Sequence, residues 1–114
     1  MMTLLCKFEF EGFHCWPDAP SEHSYLGNLH RHMFRVTCWF NVEGQGVDSR
    51  REIEFIAKKR EVQTWCEETM HDATVNHDIY AWSCEQWARR ICDEFDFNSV
   101  EVLEDGENGA IYSP

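Results

Sequence analysis

The chain is poor in positive charge. Ten lysines and arginines stand against twenty-one aspartates and glutamates, a formal charge of −11 at neutral pH. Such a surface repels phosphate backbones unless its cations cluster, and the longest basic run is only Lys58-Lys59-Arg60, so nucleic acid is not an expected partner. No CxxC occurs among the six cysteines, Cys6, Cys15, Cys38, Cys66, Cys84 and Cys92, which removes the usual zinc-ribbon and thioredoxin spacings. No apolar run reaches the roughly 18 residues of a spanning helix, so no membrane is expected either. The N-terminus lacks a basic-then-apolar signal segment and the cysteines fall inside periodic segments. Reduced thiols in a cytoplasmic protein are therefore expected. Low-complexity linkers and solenoid repeats are missing too.

What is present is the material for one core. A chain of 114 residues, 43% hydrophobic and 14% aromatic, fits a single domain over residues 1–114, with its 27% charged residues forming the surface. Residues 3–14, TLLCKFEFEGFH, alternate so that Phe8, Phe10, Gly12 and His14 share one face, which predicts a first strand. CWPDAPSEHSYLGN then reads as a long loop, a feature that small domains keep mostly for function. From Leu29 to Val42 the even positions are His30, His32, Phe34, Val36, Cys38, Phe40 and Val42, a second strand ended by the GQG turn at 44–46. Apolar residues Phe55, Ile56, Val62, Trp65, Cys66 and Met70 recur at helical spacing and predict a helix over 53–70. After a loop, MHDATVNHDIYAW, Ser83 and Gln86 form a capping box ahead of the stripe Trp87, Ala88, Ile91, Cys92 and Phe95, a second helix. SVEVLE, DGENG and AIYS read as a closing hairpin. The order implies an α+β domain with two helices on one face of a four-stranded antiparallel sheet.

The histidines carry the chemistry. His30 and His32, two apart on one strand, point the same way, and His14 ends the preceding strand. One strand histidine is usually structural, but a face holding several imidazoles without a metal must desolvate and satisfy every ring. Three neutral imidazoles with a fourth position open are the donor set of a catalytic zinc site. His23, His71 and His77 read as loop histidines.

The segments FEFEGFH, LHRHMFRV, REIEF, the His71-Asp72 pair before VN, SCEQWARRICDEF and VEVLEDGENGAIY occur in an order that resembles the 6-pyruvoyl-tetrahydropterin synthase and 6-carboxy-tetrahydropterin synthase family. The resemblance spans nearly the whole chain. It implies a tunnelling fold, in which subunits join their sheets into a barrel as trimers that pair into hexamers, with active sites at the interfaces. It also implies zinc on His14, His30 and His32, a pterin ring held by Glu104, and ligand contacts from Ser83, Cys84 and Glu85. The family's H-G-H motif has Arg31 in place of its glycine, on the opposite strand face. Two positions depart further. Leu26 stands where lyase members place a cysteine four residues before H-x-H, and His71-Asp72 reverses their aspartate-histidine order. The catalytic candidates are thus His71, Asp72 and Cys84, the last because a helix N-terminus can lower a thiol pKa. Tyr25, Glu22 and His23 are further loop candidates for proton transfer. The expected function is a zinc-dependent pterin enzyme similar to 6-carboxy-tetrahydropterin synthase, acting on 7,8-dihydroneopterin triphosphate or a close relative. The alternatives are a zinc- and pterin- or purine-binding relative without lyase turnover, and a relative with altered side-chain cleavage.

Overall fold

The computed structural model describes residues 2–43 and 54–114. The turn expected at 44–46 and the REI of REIEF, residues 51–53, lie outside the described residues. Four strands form one antiparallel sheet in the order β1 (Met2–His14), β2 (His30–Val42), β3 (Ser99–Glu104) and β4 (Asn108–Tyr112). Two helices, α1 (Phe55–Asp72) and α2 (Cys84–Phe95), cover one face of it. The molecule is therefore α+β, as the order of elements implies.

Period-two alternation decides which residues enter the core. Cys6, Phe8 and Phe10 of β1, Phe34, Val36, Cys38 and Phe40 of β2, and Val100 and Val102 of β3 are all buried on the helix-covered face. The helices answer with Val62 and Cys66 from α1 and Trp87, Ala88, Ile91 and Cys92 from α2. Phe10 stacks on Phe34 at 5.3 Å between ring centroids, and Trp87 packs against both at 5.0 and 6.3 Å. Burying each such ring contributes on the order of 1.5–3 kcal/mol. The opposite face is mixed, with ion pairs Arg35–Glu9 and Arg31–Glu11 at 2.8 Å beside exposed Leu5, Phe13 and Ile111.

Several boundaries differ from the sequence expectation. The helix predicted over 53–70 runs to Asp72, because Ala73 and Thr74 donate their backbone N–H groups to the Met70 and His71 carbonyls and extend the last turn. His71 and Asp72 thus close a helix rather than sit in a loop. Phe55 and Ile56 were expected in the buried stripe. They stand 45% and 50% exposed, since the first turn is fixed by the Glu54 carboxylate on the Ile56 and Ala57 N–H groups and the sheet takes up the stripe only from Val62. The two predicted loops each contain a 3-10 segment, Ser21–Gly27 and His77–Ala81. The last strand starts two residues early, at Asn108, because a tight turn with positive φ at Asp105 and Gly106 closes the hairpin.

Candidate metal centre

Register brings the three histidines together. His14 pairs directly with His30 across β1 and β2, and His32 lies opposite Gly12. Ring centroids are 4.5 Å (His14–His30), 4.9 Å (His14–His32) and 5.0 Å (His30–His32) apart, all edge to face. Each offers a ligand atom, and these atoms lie within 4.8 Å of one another, so the group can hold a metal ion. Beneath it, the Phe34 ring abuts His14 at 5.4 Å and His32 at 6.0 Å, so the site rests on the core.

Each imidazole has an acceptor at its Nδ1. His14 Nδ1 lies 3.3 Å from the Trp82 carbonyl oxygen, His30 Nδ1 2.7 Å from that of Asn28, and His32 Nδ1 2.7 Å from a carboxylate oxygen of Asp105. Carbonyl and carboxylate oxygens only accept, so a neutral ring bonded to these partners donates from Nδ1 and keeps its lone pair on Nε2. That tautomer presents Nε2 to a metal, and backbone carbonyls and carboxylates are the usual partners of ligating histidines. Burial holds the His14 pKa below its ordinary value despite the opposing pull of Glu104, which favours the neutral ring.

Glu104 borders the cradle. One carboxylate oxygen is 3.2 Å from His14 Nε2 and the other 3.6 Å from His32 Nε2. An imidazole lone pair and a carboxylate oxygen are both acceptors, and this arrangement is complementary to a cation between them. Register explains the position: Glu104 pairs with Phe34 on β2, two residues from His32 on the same face.

Cys84 begins α2 and is buried. Burial, then the Glu104 and Glu85 charges and a hydrogen bond to Glu104, push its thiol up to about 12. It therefore remains a thiol at neutral pH rather than a base. Ser83 is the α2 N-cap, its hydroxyl accepting from Gln86 N–H at 3.3 Å while Gln86 accepts from Ser83 N–H at 3.2 Å. Glu85 is exposed on the first turn.

The structure thus gathers His14, His30, His32, Glu104 and Cys84. It leaves His71 and Asp72 exposed at the end of α1, with no hydrogen bond between their side chains. Neighbours in a helix do not face one another. Leu26 is half-buried in the loop, where its carbonyl accepts from Trp16 N–H at 2.7 Å. Exposed Tyr25 and His23 approach each other, with centroids 6.4 Å apart, and Glu22 is exposed beside them. Sequence reading missed Asp105. Its one visible signal was the Asp-Gly hairpin pair, which announces a turn and says nothing of a histidine 73 residues away. Comparison with protein-family models and with curated proteins returns no match.

Proposed function

We propose that the chain is a zinc-dependent pterin enzyme resembling 6-carboxy-tetrahydropterin synthase, acting on 7,8-dihydroneopterin triphosphate or a close relative within a homo-oligomer. The observation that carries this reading is the histidine cradle: three imidazoles, each with Nδ1 committed to an acceptor and Nε2 left to bind. Zinc suits an all-imidazole set of three, and when bound it supplies Lewis acidity toward substrate oxygens.

The chain's own groups supply the remainder. Glu104, half-buried at the edge of the cradle, offers two acceptors to the adjacent N–H donors of a 2-amino-4-oxo ring. The Cys84 thiol lies beside that carboxylate, whose charge helps to keep it protonated. Leu26 brings no thiol and Cys84 is held protonated, so neither supplies a base for proton transfer at the substrate side chain. Those same two residues favour a second reading, a relative that keeps the metal and the ring pocket but binds without lyase turnover.

Metal analysis of purified protein is expected to give stoichiometric zinc that is lost in His32→Ala; full retention in that variant overturns the ligand set. Incubation with 7,8-dihydroneopterin triphosphate, followed by mass spectrometry, separates the two readings. A carboxy-tetrahydropterin product supports the enzyme, binding without conversion supports the second reading, and neither binding nor product removes both.

A further inference from the structure

We propose that Asp105 is a positioning residue for the metal centre, setting the ring orientation and tautomer of His32. The inference rests on the reading that His14, His30 and His32 hold an ion. Asp105 lies in the turn between β3 and β4 with φ of 54°, followed by Gly106 at 74°, and Glu107 N–H donates to the Glu104 carbonyl at 2.9 Å.

Its hold on β2 is double. The Asp105 backbone N–H donates to the Met33 carbonyl at 2.8 Å, and its Oδ1 accepts from the Met33 N–H at 2.9 Å. The side chain thereby takes the place of a backbone carbonyl in the ladder and is fixed at both ends. Oδ2 is left 2.7 Å from His32 Nδ1, on the residue next to Met33. An acceptor held so firmly requires the hydrogen on Nδ1 and presents Nε2 to the ion. The corresponding acceptors for His14 and His30 are backbone carbonyls, of Trp82 and Asn28. Among these three acceptors, only that of His32 belongs to a side chain and can be changed by substitution.

A purely architectural role for Asp105 in the turn makes a different prediction. Asparagine takes positive φ as readily as aspartate, so Asp105→Asn preserves the turn. Its carboxamide can accept from Met33 N–H with its oxygen, but it then turns an NH₂ toward His32 Nδ1. That donor favours the Nε2–H tautomer, in which Nε2 has no lone pair for the ion.

The test combines zinc affinity, by competition with a chromophoric chelator, with heteronuclear NMR of the histidine rings in metal-free protein. Wild-type protein is expected to carry the His32 hydrogen on Nδ1. Asp105→Asn is expected to move it to Nε2 and weaken zinc binding about 10- to 100-fold with the melting temperature maintained. An Nε2–H ring on His32 in the wild type, or an Asp105→Asn protein that binds zinc as the wild type does, overturns the proposal. Should the variant fail to fold, the wild-type tautomer decides. Wild-type protein that binds no zinc removes the metal reading instead, and the ring tautomers in the two proteins still decide what Asp105 does.

Discussion

Gly12 has no room for a side chain. A Cβ there would lie 2.5 Å from Cε2 of Phe34 and 3.2 Å from the Met70 sulfur, and Phe34 is the ring on which His14 and His32 rest. Gly12→Ala should displace that ring and cost about 1–3 kcal/mol in urea unfolding, with weaker zinc binding. An alanine variant of unchanged stability would show that Phe34 yields without strain. His14 sets a pH dependence. Its pKa is lowered first by burial and then by His30 and His32, while Glu104 opposes, so the stability tied to its neutral form is present above the ordinary value of about 6.5 and is lost as pH falls below it. The metal-free wild type should therefore lose more stability than His14→Gln between about pH 7 and about pH 5, with equal losses counting against this. Residue roles differed in how far the sequence exposed them. The shared face of His30 and His32 was legible because period two is a local rule, whereas the place of Glu104 beside them depends on the register between β2 and β3. Asp105 was hidden, since its role depends on a left-handed backbone and a partner on another strand.

At the scale of elements, α2 is both a core helix and a support for the site. Its N-cap lies one residue after Trp82, whose carbonyl oxygen accepts from His14, and its first residue places the Cys84 thiol beside Glu104. Ser83→Ala removes the cap and should cost about 1 kcal/mol of stability by denaturant unfolding, while Ser83→Asp should restore most of it. A cost near zero would mean that packing of Trp87 and Ile91 holds the helix without its box. This element was readable because capping chemistry and an apolar stripe coincide. The start of α1 was misread for the opposite reason. Spacing shows that Phe55 and Ile56 can share a face with Val62, but not that the sheet reaches far enough to cover them. The strands of the long hairpin were legible in themselves, yet the pairing of His14 with His30 required the register between them.

The molecule is elongated, 56 × 26 × 21 Å, and its two thirteen-residue strands each span about 40 Å at roughly 3.3 Å per residue. On the outer edge of β1, α1 supplies partners, with Gln63 donating to the Glu9 carbonyl at 3.0 Å and Phe13 N–H directed at the Met70 sulfur at 3.4 Å. Among the described residues no strand pairs with the outer edge of β4, and Ile111 on that strand is 61% exposed. The proposed homo-oligomer predicts a mass by light scattering of at least three 13.5 kDa chains; a monomer at working concentration would count against an assembled site. Finally, the three Nδ1 hydrogen bonds reach Asn28 in the loop, Trp82 ahead of α2 and Asp105 in the last hairpin, parts of the chain that are far apart in sequence. An ion on the Nε2 atoms would thus act as a cross-link among distant segments. Its arrival should be read in slowed amide exchange around all three anchors together, even though none of them touches it.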